Sequence, residues 1–196
     1  MVLKDVRAKV EKTWTTTKKI LAMMSVWGLL FSLVTIARLG VAFAYDDTLV
    51  ESSAAYAKAG SSQQPRGADY WKIINNAYDL ESPKILPYVT AGLARAFGFR
   101  ILIVAERQPI GGDALRKEWR HIAPRGFQFV PNPEDLHLHL QDGRYVLFLG
   151  STDRELLEAK KAGVFAVRVK RGSKAVLGGE YNPGQMGEIV LPLSEF

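Results

Sequence analysis

The chain contains no cysteine among its 196 residues. This absence excludes disulfide bonds, thiolate metal sites and a cysteine nucleophile, and it fits the periplasm and the cytoplasm equally well. The length is sufficient for one sizeable core but too short for two ordinary domains joined by a linker. We therefore expect one globular domain with an appendage.

The excess of positive charge is confined to one end of the chain. The formal net charge is +6, and residues 1–40 hold seven Lys or Arg against two acidic residues, a net of +5. The other 156 residues therefore carry only +1. A basic surface that neutralises phosphates is only weakly supported, and we expect no nucleic-acid partner. A basic stretch beside an apolar segment has a simpler explanation at a membrane.

An uncharged run of eighteen residues occupies positions 20–37. At about 1.5 Å per helical residue it spans roughly 27 Å, just enough to cross a bilayer. Six of the seven basic residues precede it, so the positive-inside rule predicts that residues 1–19 are cytoplasmic. We expect a single-pass membrane protein whose globular domain is periplasmic or extracytoplasmic.

The same run carries small and polar residues at spacings of three and four, namely Ser25, Gly28, Ser32 and Thr35. Such a stripe is the usual packing face of a membrane helix, so we expect other membrane-protein subunits as partners, and a homo-oligomer is possible. Two alternatives stay open. The run could be a buried or amphipathic helix of a soluble protein, or a signal peptide cleaved near Ala42-Phe43-Ala44.

Beyond residue 40, apolar runs alternate with segments of helical periodicity. This alternation predicts an α/β fold with a parallel sheet covered on both faces. Residues 52–68 are rich in Ala, Ser, Gly and Gln and predict a loop or a poorly ordered insertion. The predicted strands are residues 41–45, 100–105, 127–130, 144–149, 164–169 and 188–191. The predicted helices are residues 69–78, 82–97 with Ser82 as N-cap and Pro83 at N1, 113–121, one that follows Asn132-Pro133, and 152–162.

Residues 41–52 combine an apolar strand with an acidic end, Asp46, Asp47 and Thr48. In open α/β sheets ligands bind beyond the carboxyl ends of the strands, so acids placed there are candidate site residues. The alternative is a strand that simply runs into an acidic turn. On these residues alone both interpretations stand.

Five ordered motifs resemble the class B acid phosphatases of the haloacid dehalogenase superfamily. They are Val41 to Leu49, Tyr70-Trp71-Lys72 with Asn75-Asn76, Ser82-Pro83-Lys84, Ile103 to Arg107, and Phe148 to Glu155. The likeness covers residues 40–196. It implies a periplasmic phosphomonoesterase with a doubly wound sheet, a small helical cap at about residues 51–83, and Mg²⁺.

The resemblance also implies that several functional positions are lost. The nucleophile falls on Ala44, the phosphate-binding hydroxyl of the second motif on Ala105, and a metal-ligating Asp on Ser151. The third-motif lysine has no clear counterpart, since Leu136 or His137 stands near that place. The vestigial motif comprises Ala44, Asp46, Asp47, Thr48, Ala105, Arg107, Ser151, Asp153 and Glu155.

We interpret this set as a site without catalysis, cofactor or metal. Phosphoryl transfer through a phospho-aspartate needs an in-line carboxylate and a cation. Asp46 lies about 6.6 Å along the strand from Ala44, too far to replace a nucleophile. We therefore expect a membrane-anchored accessory subunit. The alternatives are a divergent Mg²⁺-dependent phosphatase that recruits Asp46, Asp153 or Glu155, and a module that binds a nucleotide or phosphate without turnover.

Three remaining features have structural explanations. His137 and His139 would share one face of a strand as metal ligands, but the helix start before them favours surface histidines on a helix. The basic residues Lys160, Lys161 and those at 168–174 indicate a solvated surface. We expect Thr48 to hydrogen-bond the backbone of the turn.

Overall fold

A computed structural model describes residues 2–60, 67–178 and 180–196. The chain divides into two units, Met1–Ala37 and Arg38–Phe196. The first is a helix and the second is globular.

Helix α1 comprises Val2–Ala37. Its segment Thr13–Ala37 has a mean hydropathy of 2.2 over its most apolar window, none of which is buried, so by length and composition it can cross a membrane. Three hydroxyls of the predicted stripe, Ser25, Ser32 and Thr35, each donate to the carbonyl four residues earlier. These bonds keep the hydroxyls compatible with an apolar environment.

The globular unit follows the predicted alternation of strands and helices. Its elements in chain order are β1 (Gly40–Ala44), β2 (Val50–Glu51), α2 (Ser53–Ala59), α3 (Ala68–Asn76), β3 (Ser82–Pro83), α4 (Ile85–Ala96), β4 (Arg100–Ala105), α5 (Asp113–Glu118), β5 (Phe127–Phe129), α6 (Leu136–Gln141), β6 (Tyr145–Gly150), α7 (Asp153–Lys161), β7 (Phe165–Val169) and β8 (Ile189–Leu191).

A parallel sheet of six strands forms the centre of this unit, in the order β5-β4-β1-β6-β7-β8. Strand β1 pairs with β4 on one side and with β6 on the other. Its side chains alternate between two cores: Val41 and Phe43 pack with α4 and α5 residues, while Ala42 and Ala44 pack with α6 and α7 residues. The predicted doubly wound α/β sheet is therefore confirmed.

A helical insertion leaves the sheet after β1. Strands β2 and β3 form an antiparallel pair, and α2 and α3 lie between them in the chain. The two helices share a small core around Ala55, Ala59, Ile74 and Ala77.

The loop predicted over residues 52–68 is wrong in its first half. Helix α2 forms at Ser53–Ala59, because alanine is a strong helix former and because Ala55 and Ala59 are fully buried against α3. The second half of the prediction, residues 61–66, lies outside the described residues.

The predicted start of α4 is also wrong. Ser82 and Pro83 pair with Glu51 and Val50 as strand β3, and α4 begins at Ile85. Proline can occupy such a short edge strand because it does not need to donate to the ladder there. The end of this helix is as predicted, with Gly98 at a φ of 85°.

Helix α7 begins and ends as the sequence predicts. The Thr152 hydroxyl accepts a hydrogen bond from the Glu155 amide, and the Glu155 carboxylate accepts one from the Thr152 amide, which together make a capping box. Gly163 follows the helix with a φ of 72°. This local order fixes the loop after β6, where site residues were predicted.

Candidate functional site at the carboxyl ends of the strands

The predicted site positions meet at one edge of the sheet. Ala44, Ala105 and Gly150 are the last residues of β1, β4 and β6, which are neighbours in the sheet. Asp46 and Arg107 follow the first two strands directly. The structure therefore brings the candidate residues together, and their individual contacts decide what they can do.

Ala44 lies in an apolar pocket with no space for a water molecule. The pocket is lined by Val104, Val130, Leu136 and Phe148, with Pro133 and the side chains of Glu106 and Glu155. Ala44 and Leu136 are each 3% exposed. Leu136, not His137, therefore lines the pocket beside Ala44.

Arg107 is the centre of a buried ion network. Its side chain is 0% exposed, and its Nε donates to Asp46 Oδ2 at 3.0 Å and to Oδ1 at 3.2 Å. Its Nη2 also donates to Asp46 and Glu81, and to Ser52 Oγ at 3.1 Å. Burial disfavours the charged guanidinium, but the two carboxylates outweigh this and raise the pKa of Arg107 well above its usual value.

Aromatic side chains surround this network. The guanidinium carbon of Arg107 lies 4.9 Å from the ring centre of Tyr45 and 5.4 Å from that of Tyr56. The Tyr45 hydroxyl donates to Glu81 and accepts from Trp119 Nε1 at 3.2 Å. Burial, together with the charge of Glu81, raises the pKa of Tyr45. Asp46 is thus buried and held in an ion pair with Arg107.

Asp47 ties the turn after β1 to the C-terminal part of the chain. Its backbone has a φ of 55°, and its Oδ2 accepts from the amides of Val176 and Leu177 at 2.8 and 2.7 Å. The buried ammonium of Lys84 donates to the carbonyls of Asp47 and Lys170, each at 2.7 Å. Lys84 has no sequence signal for this role, because its partners are backbone atoms distant in the chain.

The expected hydrogen bond from Thr48 to the turn backbone is not formed. Thr48 Oγ1 is buried and has no hydrogen-bond partner within the described residues. The turn is closed instead by the amides of Leu49 and Val50, which donate to Tyr45 O at 3.0 and 3.2 Å. Backbone atoms therefore complete the bonds that the side chain was expected to make.

The acids after β6 are committed to local structure. Glu155 Oε2 accepts from the amides of Ser151 and Thr152, both at 2.8 Å. Asp153 accepts from Asn182 and forms an ion pair with Arg168 at 2.7 Å. Burial opposes its charge, but the Asn182 hydrogen bonds and the Arg168 contact lower the pKa of Asp153. These contacts fix the loop that follows the sheet.

The prediction of a solvated basic surface at residues 168–174 is wrong for Arg168. Its side chain is 0% exposed and pairs with Asp153 and Glu188, since β7 directs it into the protein beside the C-terminal segment. Lys160 and Lys161 are exposed as predicted. The helix prediction for the histidines is confirmed in α6, where His137 Nδ1 lies 2.8 Å from Glu158 Oε2.

A cleft of about 600 Å³ opens beside these residues, between the helical insertion and the sheet edge. Tyr56, Tyr70 and Trp71 line one part of it, and Glu106 and Arg154 line another. Arg154 Nη2 lies 3.5 Å from Glu106 Oε2. Burial, and then the nearby charge of Glu155, raise the pKa of Glu106 to about 8. Sequence reasoning missed Glu106, because its neighbour Glu155 is 49 residues away in the chain.

No protein-family model matches the chain, and no curated protein matches its sequence. Solved structures do match. CbbY from Rhodobacter sphaeroides, in complex with phosphate, is 15% identical with a TM-score of 0.56, covering 81% of this chain and 95% of CbbY. A predicted phosphoglycolate phosphatase from Haemophilus somnus is 12% identical with a TM-score of 0.54, covering 80% and 95%.

A haloacid dehalogenase-like family hydrolase from Streptococcus pneumoniae is 14% identical with a TM-score of 0.50, covering 79% of this chain and 94% of that protein. This chain has a haloacid dehalogenase-like fold. The predicted resemblance to that superfamily is confirmed at the level of the fold. At such low identity the likeness carries no activity or substrate from the solved proteins to this one.

The oxygens available in this haloacid dehalogenase-like fold do not fit Mg²⁺ well. Mg²⁺ is held through carboxylates in near-octahedral geometry. Ala44 offers no oxygen, Asp46 is held by Arg107, and Glu155 caps α7. The Ser151 and Thr48 hydroxyls and one carboxylate oxygen each of Asp47 and Glu106 have no hydrogen-bond partner among the described residues. Within those residues, however, no group of three acidic or histidine side chains is arranged to hold a metal ion.

We predict that Arg107→Met destabilises the fold by about 3–5 kcal/mol. The substitution keeps an apolar volume but leaves Asp46 and Glu81 buried without their cation, and removing one partner of a buried ion pair has costs of about that size. Urea unfolding of the full chain measures the change. The control is Arg116→Met, whose exposed pair with Asp113 contributes about 0–1 kcal/mol. Equal losses in the two variants would contradict the network.

We predict that Glu106 makes the fold less stable as the pH rises from about 4.5 to about 8. Its usual pKa of 4.5 is raised to about 8 in the folded chain, so the folded state binds the proton more tightly and its stability falls through this window. Glu106→Gln should remove that part of the slope in urea unfolding between pH 5 and 8.5. The exposed Glu134→Gln should leave the slope unchanged, and parallel profiles for Glu106→Gln and the parent chain would refute the assignment.

Proposed function

We propose that this chain is a catalytically inactive, class B acid phosphatase-like protein that serves as an accessory subunit of a membrane complex. The observation that carries this proposal is the buried ion pair between Asp46 and Arg107, beside a nucleophile position that holds Ala44. Asp46 is the acid to which the resemblance assigns proton transfer, and Arg107 holds it in the pair. The fold is thus available for binding and assembly.

The chemistry supports inactivity at three points. Phosphoryl transfer needs a nucleophile in line with the leaving oxygen, charge compensation by a cation, and donors to the equatorial oxygens. Ala44 supplies no nucleophile. Ala105 supplies no hydroxyl, and the buried guanidinium of Arg107 is directed to Asp46 and Glu81.

The N-terminal unit supports the membrane role. An apolar segment with six basic residues before it favours a single span with the N-terminus in the cytoplasm and the globular domain outside. The face of α1 that carries Ser25, Gly28, Ser32 and Thr35 permits close approach of another membrane helix. At Gly28, no atom within 4 Å would meet an added Cβ.

A second candidate function is that of a divergent phosphomonoesterase that uses the cleft beside Ala44 and Asp46. The observation that favours it is the cleft of about 600 Å³ with Glu106 in its lining. A carboxyl group whose pKa is raised to about 8 suits a general acid. This candidate needs one of Asp46, Asp153 or Glu155 to leave its present partner and hold Mg²⁺.

We predict that the purified full chain hydrolyses aryl phosphates with Mg²⁺ at the rate of buffer alone. The reason is the missing nucleophile, since single functional losses in enzymes that work through such a group already cost several orders of magnitude. The assay compares the parent chain with Asp46→Ala, Glu106→Gln and, as a surface control, Asp113→Ala. Turnover that falls in either site variant but persists in the control would establish the divergent enzyme.

We predict that a partner membrane protein copurifies with the full chain in mild detergent and is lost when Ser25, Gly28 and Ser32 are changed to Leu. Leucine raises the hydropathy of α1, so the apolar segment is retained, but it prevents close helix approach. The control places Ala at Leu29 and Leu33, two apolar positions outside the stripe. A monodisperse monomer with no companion, or equal loss in both variants, would contradict the accessory role.

A further inference from the structure

A second pocket lies at the opposite edge of the sheet from the vestigial site. It has a volume of about 610 Å³ and is formed where α4 ends, β4 begins and the chain approaches β5. Its charged lining residues are Arg95, Arg100 and Arg125, and we call it the arginine pocket. None of its lining residues is acidic.

The charge of this pocket contrasts with the rest of the unit. Residues 41–196 carry a net charge of only +1, yet three of their arginines converge here. Arg120 also lies at this edge, since its carbonyl accepts from Arg95. Within the described residues, the side chains of Arg95, Arg100 and Arg125 form no ion pair with an acid. Their positive charges are therefore not neutralised by the protein.

The protein holds two of these arginines in place through backbone carbonyls. Arg95 Nη1 donates to the carbonyls of Arg120, at 3.3 Å, and His121. Arg100 Nη2 donates to the Gly143 carbonyl, and its guanidinium carbon lies 5.7 Å from the ring centre of Tyr145. Carbonyl contacts orient a guanidinium without cancelling its charge, so these guanidinium groups can donate hydrogen bonds to a bound anion.

The floor of the arginine pocket is apolar. Phe99, Ile101 and Ile122 contribute to the lining, and the two isoleucines are each 6% exposed. A free inorganic anion gains nothing from such a floor. A ligand with a phosphate and an attached apolar part uses both features, because arginine binds phosphate oxygens bidentately and the floor buries carbon.

The chain itself places this pocket next to the apolar helix in sequence. Gly40, the first residue of β1, pairs with Arg100 and Tyr145, which both line the pocket. Only Arg38 and Leu39 separate Gly40 from Ala37, the last residue of α1. The link between the pocket-lining strands and the apolar helix is therefore short in sequence.

We propose that the arginine pocket binds the phosphate of an anionic phospholipid headgroup at the membrane surface. The lipid source rests on the membrane tether of the proposed function. The pocket combines what such a ligand requires: three unneutralised arginines, an apolar floor, and a short link to a segment that can cross a bilayer. Arginines near an anionic membrane surface contribute about 1 kcal/mol each.

The test uses the full chain in a neutral maltoside detergent. Isothermal titration measures binding of dihexanoyl phosphatidylglycerol, of dihexanoyl phosphatidylcholine and of inorganic phosphate. We expect selective binding of the anionic lipid and about fivefold weaker binding in Arg125→Gln. Arg125 is the variant of choice because it is exposed. The matched control is Arg116→Gln on α5, which removes the same charge outside the pocket, and thermal melting verifies that both variants fold.

Four outcomes decide the proposal. Anionic selectivity that Arg125→Gln weakens, Arg125→Lys retains and Arg116→Gln leaves intact supports it. Equal binding of the two lipids, or equal loss in both glutamine variants, overturns it. Inorganic phosphate that binds as tightly as the lipid assigns the pocket to a free anion and overturns the lipid source. Extraction of membranes with alkaline carbonate tests the membrane anchor separately. If carbonate removes the chain from membranes but the chain still selects the anionic lipid, the anchor of the proposed function is contradicted and the arginine pocket is supported.

Discussion

The globular unit depends on one buried positive charge. Arg107 follows β4, and its guanidinium joins Asp46 in the turn after β1 to Glu81, which lies just before β3. Ser52 and the rings of Tyr45 and Tyr56 complete its surroundings. A charge without water is tolerated only when it is paired and hydrogen-bonded. This buried ion network therefore joins the sheet to the helical insertion.

The vestigial positions have acquired other structural uses. Glu155 holds the start of α7 through two amides, Asp47 accepts from Val176 and Leu177, and Asp153 binds Arg168. These contacts hold Glu155, Asp153 and one oxygen of Asp47 in the local structure around the ends of the strands. The proposed loss of chemistry therefore has a physical counterpart in added local stability.

Local patterns made much of this fold predictable. The continuous apolar runs identified β1, β4 and β6, since strands buried on both faces need no polar alternation. The helix predicted over residues 152–162 is α7, and the structure shows a capping box of Thr152 and Glu155 at its start, a contact encoded within four residues. The network of Arg107 could not be predicted in the same way. Its partner Asp46 lies 61 residues away, and no local preference records such a contact.

The errors have the same origin. Pro83 was predicted to start a helix, but pairing with Val50 overrides that preference. Arg168 was predicted to be solvated, because the sequence does not show that β7 and the C-terminal segment enclose it beside Asp153 and Glu188. Where two distant segments compete with a local signal, the burial of many atoms outweighs a propensity worth less than about 1 kcal/mol per residue.

The net charge of the globular unit does not show how differently charges are arranged at the two edges of its sheet. At the carboxyl edge of the sheet, Asp46 forms a buried ion pair with Arg107. At the amino edge, Arg95 and Arg100 donate to neutral backbone carbonyls. The sum of +1 over residues 41–196 does not show this arrangement. A field outside the protein depends on how charge is arranged, not on its total. The buried pair at one edge therefore serves the fold, and external binding is what we propose for the arginines at the other edge.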